Sequence, residues 1–90
     1  MQERTEEVRV VNKLGIHARP AAALVQCVLN FECEVFLLFN GSRVNAKSIM
    51  GLLTLAATQG SRITVTCKGS DADAAITAIK EIFAAGFGES

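Results

Sequence analysis

Tryptophan and tyrosine are absent from this 90-residue chain, and its five phenylalanines are the only aromatic residues. The usual platforms for stacking nucleobases are therefore missing. An excess of charge of one sign is missing too. Nine basic residues offset nine acidic ones, so nothing points to a nucleic acid as ligand. No apolar run approaches the roughly 20 residues of a membrane span. The polar opening Met1-Gln2-Glu3-Arg4-Thr5-Glu6-Glu7 has no signal-peptide core. A protein of the cytoplasm with no membrane partner is expected. The three cysteines, Cys27, Cys33 and Cys67, are odd in number and have no C-x-x-C spacing, and only one histidine accompanies them. That excludes the usual metal patterns and predicts reduced thiols, at least two of them packed as small apolar residues. Ninety residues support one domain, spanning 1–90, with one modest core.

The single histidine and the single proline stand three residues apart, in Gly15-Ile16-His17-Ala18-Arg19-Pro20. The following Ala21-Ala22-Ala23-Leu24-Val25 reads as a helix, so the imidazole lies at a helix mouth beside an arginine. Helix N-termini carry unpaired N–H groups and partial positive charge, and they attract anions. A neutral imidazole is nucleophilic near neutral pH. Placed there, His17 can receive a phosphoryl group whose added charge is shared by Arg19 and the backbone N–H groups of Ala18 and Arg19. A lone histidine is otherwise an ordinary surface or capping residue.

The rest of the chain alternates between strand and helix patterns. A β-prone run spans Glu6 to Asn12, and a helix runs from Ala18 to about Asn30 with Ala21, Leu24, Val25, Val28 and Phe31 on one stripe. Pro20 is tolerated in the first turn, where N–H groups lack helical partners. Cys33 to Phe39 is a strand with Cys33, Val35, Leu37 and Phe39 on one face, although Phe36 and Leu38 make the other face less than polar. Asn40-Gly41 predicts a type I′ hairpin turn into the short strand Ser42 to Asn45. Ser48 caps a helix over Ile49 to Leu55. A strand follows at Ile63, Val65 and Cys67. The final helix is predicted to open on a Ser70/Asp73 capping box, to bury Ile76, Ile79, Ile82 and Phe83, and to end at Gly86. The order β-α-β-β-α-β-α with antiparallel strands implies an α+β two-layer sandwich with one sheet face open.

Two segments carry a family resemblance. Asn12-Lys13-Leu14-Gly15-Ile16-His17-Ala18-Arg19-Pro20-Ala21-Ala22 resembles the active-site segment of HPr, the histidine phosphocarrier family of the bacterial phosphoenolpyruvate phosphotransferase system. Arg43-Val44-Asn45-Ala46-Lys47-Ser48-Ile49-Met50-Gly51-Leu52 looks like the family's regulatory serine site. The resemblance spans nearly the whole chain. It implies an open-faced sandwich whose four-stranded antiparallel sheet runs 1-4-2-3 with three helices on one face. It implies that His17 takes phosphate on Nδ1 from enzyme I and passes it to an enzyme IIA component, with Arg19 as the active-site arginine and no cofactor. It further implies that Ser48 is a substrate of HPr kinase/phosphorylase. The ending Phe83-Ala84-Ala85-Gly86-Phe87-Gly88-Glu89-Ser90 is similar to proteobacterial HPr or to the nitrogen-related paralogue NPr, and the Ser48 segment favours HPr-type regulation.

Ser48 also has a purely structural reading, as a helix cap. The helix it opens is apolar nearly all round, and a short helix cannot bury every side. Ile49, Met50 and Leu53 are expected to form an exposed docking patch beside His17. Cys27 and Leu29 stand where family members often carry charge, which leaves Arg19 and Lys47 as the positive contacts. A monomer is the simplest expectation. Two other classes are distinguishable. A small phosphate-handling enzyme would need a pocket with supporting acids or bases, and the sequence offers few carboxylates near His17. A non-catalytic interaction domain working through the Ser48 face commonly lacks the histidine, which this chain keeps.

Overall fold

The computed structural model of the chain describes residues 2–89. Its elements run β1 (Glu3–Arg9), α1 (Ala18–Val28), β2 (Glu34–Phe39), β3 (Ser42–Asn45), α2 (Ile49–Thr54), β4 (Arg62–Lys68) and α3 (Ala72–Ala84), followed by a 3-10 turn at Gly86–Gly88. This is the expected βαββαβα order. The sheet is antiparallel throughout with strand order β1-β4-β2-β3.

Two-residue alternation assigns each strand its faces. Val8 pairs with Ile63, Leu37 with Val65 and Val35 with Cys67, and all six side chains are buried under the helices. Phe36 and Leu38 turn to the open face opposite Thr66 and Thr64, where the Arg43 guanidinium covers the Phe36 ring at 3.8 Å. Asn40 and Gly41 both take positive φ, 51° and 78°, which closes the β2–β3 hairpin as predicted. Each helix contributes one apolar stripe: Leu24 and Val28 from α1, Leu52 from α2, and Ile76, Ile79 and Phe83 from α3 are essentially inaccessible. Fully burying a side chain of this size is worth about 1.5–3 kcal/mol, so these positions dominate the stability. Cys33 and Cys67 are buried and Cys27 is half-buried, all as free thiols. Burial foremost, and then the neighbouring Cys33, push the Cys67 thiol up to about 12.

Beyond one-residue differences at the start of β2 and the end of α2, the structure corrects the sequence reading at four places. β1 begins at Glu3 and ends at Arg9, rather than spanning Glu6 to Asn12. Its first half is hidden from hydropathy because Arg4 and Glu6 share a face with Val8 and meet charges on α3: Arg4 bonds Asp73, and Lys80 approaches Glu6 at 3.5 Å. The first helix ends at Val28, and residues 29–31 only tighten its last turn through N–H bonds from Leu29 to Val25 and from Phe31 to Val28. Ile82 is only partly buried. The Ser70/Asp73 capping box does not form. Asp71 is the N-cap of α3, yet its carboxylate serves the connection leading into β2, accepting the N–H groups of Glu32 at 2.8 Å and Cys33 at 2.9 Å.

That tie has a pH signature. The Glu32 N–H foremost, with help from Cys33, holds the Asp71 carboxyl below its ordinary value. A carboxylate whose pKa is depressed on folding stabilises the protein above the unfolded-state pKa of about 4, and the contribution fades as pH falls through the folded value. Asp71→Asn should therefore lower the urea midpoint at neutral pH, and the gap from the parent should close on acidification. A gap of constant size down to strongly acidic pH would remove Asp71 from this role.

Candidate functional site

His17 is the N-cap of α1, with extended backbone (φ −94°, ψ −168°) and no side-chain bond to its own helix. Two backbone contacts hold it there. The Ile16 N–H donates to the Ala57 carbonyl at 3.0 Å, and the His17 N–H donates to the Gly15 carbonyl at 3.1 Å. Gly15 takes φ +66° and lies against residues 57–58, so the turn that aims His17 can form only on a residue without a Cβ. The His17 carbonyl accepts the Ala21 N–H at 3.0 Å and starts the helix. The N–H groups of Ala18 and Arg19 have no acceptor in the preceding turn of helix, and Pro20 contributes none. No acidic residue occupies the first turn of α1. An anion arriving there meets two donors with no partner among the described residues, the positive end of an eleven-residue helix and the exposed Arg19.

The imidazole is accessible, with about a third of its side chain exposed (36%). Its Nε2 lies 3.0 Å from both carboxylate oxygens of Glu89. The His17 bond is the main reason that the Glu89 carboxyl is held below its usual range, with smaller contributions from Asn12 and from the field of Arg19. An ionised carboxylate only accepts hydrogen bonds, so the proton of the neutral ring resides on Nε2 and the lone pair on Nδ1. Nδ1 enters no hydrogen bond among the described residues. The ring thus presents an open nucleophilic nitrogen at a helix mouth.

Glu89 was not foreseen. The sequence reading found few carboxylates near His17 because this one stands 72 residues away. Asn12 was also missed as a working residue. It is buried (1% exposed), and its Nδ2 donates to the Gly15 carbonyl at 2.8 Å and to Glu89 Oε1 at 3.0 Å. Neither contact leaves a periodicity or spacing signal.

The second predicted segment has the expected local form. Ser48 is exposed and caps α2, its Oγ accepting the Gly51 N–H at 3.1 Å. Ile49, Met50 and Leu53 are exposed, Met50 most of all, while Leu52 and Leu55 face the core. Lys47 is half-buried, and its Nζ donates to the Phe31 carbonyl at 2.9 Å. α2 packs on α1, although no hydrogen bond or ion pair among the described residues joins Lys47 or Ser48 to His17. A groove of about 360 Å³ between β1 and α3 is lined by Val8, Val11, Lys80 and Phe83 among others, and His17 is not part of it.

The family described as the PTS HPr component phosphorylation site matches residues 4–85. The phosphocarrier protein HPr of Xylella fastidiosa (strain Temecula1) is 47% identical over 83 residues, 92% of this chain and 93% of that protein. The protein of the same name from Treponema pallidum (strain Nichols) is 46% identical over 76 residues, 84% of this chain and 86% of that one. A crystal structure of HPr from Thermoanaerobacter tengcongensis superposes with a TM-score of 0.89 at 38% identity, covering 100% of this chain and 99% of that one. In sequence and in overall fold, the chain belongs to the HPr family, the phosphocarriers of the phosphotransferase system.

Proposed function

We propose that this chain, acting as a single domain over 1–90, is a cytoplasmic phosphocarrier that accepts a phosphoryl group from phospho-enzyme I on Nδ1 of His17 and delivers it to enzyme IIA components. The observation that carries the reading is the ring's polarity. Nε2 meets Glu89, while Nδ1 of this helix N-cap residue enters no hydrogen bond among the described residues. In the transfer, the donor's bond to phosphorus breaks with its electron pair staying on the donor, and the Nδ1 lone pair forms the new N–P bond. No proton has to leave, because Nδ1 carries none. Arg19 and the N–H groups of Ala18 and Arg19 stabilise the added charge. A site this open holds phosphate moderately, as a carrier must, and its exposure suits a protein partner better than a metabolite. It works without a cofactor, as a monomer, and turns over no substrate of its own.

Ile49, Met50 and Leu53 supply an apolar docking surface, with Arg19 and Lys47 as its positive contacts. Ser48 is the regulatory position, a substrate for HPr kinase/phosphorylase. Phosphoserine there adds nearly two negative charges. These favour the N-terminus of α2 and repel an acidic partner, so the block needs no change of fold.

The test is incubation with enzyme I and labelled phosphoenolpyruvate. Acid-labile label should appear on the parent and be lost completely in His17→Ala; an unlabelled parent, or a labelled variant, ends the carrier reading. With HPr kinase/phosphorylase and ATP, acid-stable label should appear and vanish in Ser48→Ala. Label that persists there puts the regulatory site elsewhere.

A further inference from the structure

We infer that Asn12 and Glu89 form a positioning pair, in which Asn12 holds the Glu89 carboxylate against Nε2 of His17 and so keeps Nδ1 as the reactive nitrogen; this rests on the carrier reading above. Asn12 is the one buried polar side chain among the described residues, and its Oδ1 has no hydrogen-bond partner. Packing does not account for it, since an apolar residue would fill the site without stranding an acceptor. Its two Nδ2 hydrogens are both used, one on the Gly15 carbonyl and one on Glu89 Oε1. The amide cannot be turned round, because Oδ1 would then face two acceptors. Asn12 therefore links the turn that carries His17 to the side-chain carboxylate of Glu89.

The C-terminal turn is shaped to deliver that carboxylate. The Gly88 N–H donates to Ala85 and the Glu89 N–H to Gly86, at 3.1 and 2.9 Å. Phe87 packs edge-on against the buried Phe83, with ring centroids 4.8 Å apart. Buried Gly86 lies beside Val11 and Asn12. An imidazole free in water exchanges its proton between both nitrogens, and only the form with Nδ1 unprotonated can attack through Nδ1 without first losing a proton. The bidentate approach of Glu89 selects that form, and Asn12 denies the carboxylate other orientations. Neither residue touches the phosphoryl group.

The experiment is a double-mutant cycle of Asn12→Ala and Glu89→Ala, read by the rate of His17 labelling from enzyme I and by ¹⁵N shifts of the imidazole at alkaline pH, where an ordinary ring is neutral. Glu89→Ala should slow labelling about tenfold, the loss expected for one charge-assisted hydrogen bond, and should shift the tautomer mixture toward protonated Nδ1. Asn12→Ala should do the same less strongly in the parent background, and its effect should shrink in the Glu89→Ala background, where only the bond to the Gly15 carbonyl remains to be lost. Losses that multiply independently, or variants with the parent's rate and tautomer ratio, overturn the inference while a labelled parent leaves the carrier reading standing. If Asn12→Ala does not fold, Glu89→Ala decides alone, because its side chain is not part of the hydrophobic core. An unlabelled parent is the separate failure of the carrier reading, and the tautomer shift then still tests the pair.

Discussion

Replacing Gly15 by alanine is expected to destabilise the protein and to remove most of its phosphoryl acceptance. Two costs combine. The residue sits at φ +66°, where a Cβ costs about 1–2 kcal/mol. That Cβ would also lie 2.3 Å from the Ala57 carbonyl oxygen and 2.9 Å from the Thr58 Cα. Both are backbone atoms, so the strain cannot be relieved by a rotamer change, and overpacking of this kind adds about 1–3 kcal/mol. The displaced strand of chain is the one that matters. The Ile16 bond to Ala57 must stretch, and the Gly15 carbonyl, which accepts both the His17 N–H and the Asn12 amide, must move with it. His17 then loses its aim at the mouth of α1. Gly41→Ala is the control, since that glycine has φ +78° but nothing within 4 Å of an added Cβ. Urea melts should show a loss for Gly15→Ala well beyond that for Gly41→Ala, and only the former should slow labelling from enzyme I, by more than tenfold. Equal losses in the two variants would mean that the close approach to Ala57 carries no weight.

Phe83→Ala is expected to have the largest effect on stability of any single truncation in the core. The ring is 1% exposed and is the largest of the fully buried side chains. Deleting it costs about 3–5 kcal/mol, transfer and cavity together. Against a total of about 5–15 kcal/mol for a typical domain, that is a large fraction. The melting temperature should fall by on the order of 20 °C for a domain of this size. The same ring seats Phe87, and with it the turn that brings Glu89 to His17. Partial loosening of that turn should be visible as weaker ordering of the imidazole, even at temperatures where the variant is folded. Ile82→Ala, one residue earlier on α3 but only partly buried, should cost much less. A Phe83 variant melting within a few degrees of the Ile82 variant would show that the core closes over the gap.

Much of this molecule is legible without coordinates. Leu24, Val28, Ile76, Ile79 and Phe83 announce their helices by spacing, and Ile63, Val65 and Cys67 announce β4, because burial on one face imposes a period of its own on the chain. Asn40-Gly41 and Ser48 are equally readable, each being a local solution to a local backbone requirement. At β1 and at the start of α3, where the reading slipped, a distant partner was responsible. Arg4 and Glu6 belong to a strand since α3 supplies Asp73 and Lys80, and Asp71 is drawn away from capping by the N–H groups of Glu32 and Cys33.

The histidine-bearing turn follows the same division. By itself the sequence determined that an imidazole, an arginine and a proline would open a helix after a glycine, since those choices are dictated within a few residues. Only the tertiary structure decided which ring nitrogen would be held. That depends on Glu89 and Asn12, 77 residues apart along the chain and 3.0 Å apart in space, and no local pattern encodes a contact that the packing of α3 against the sheet alone creates.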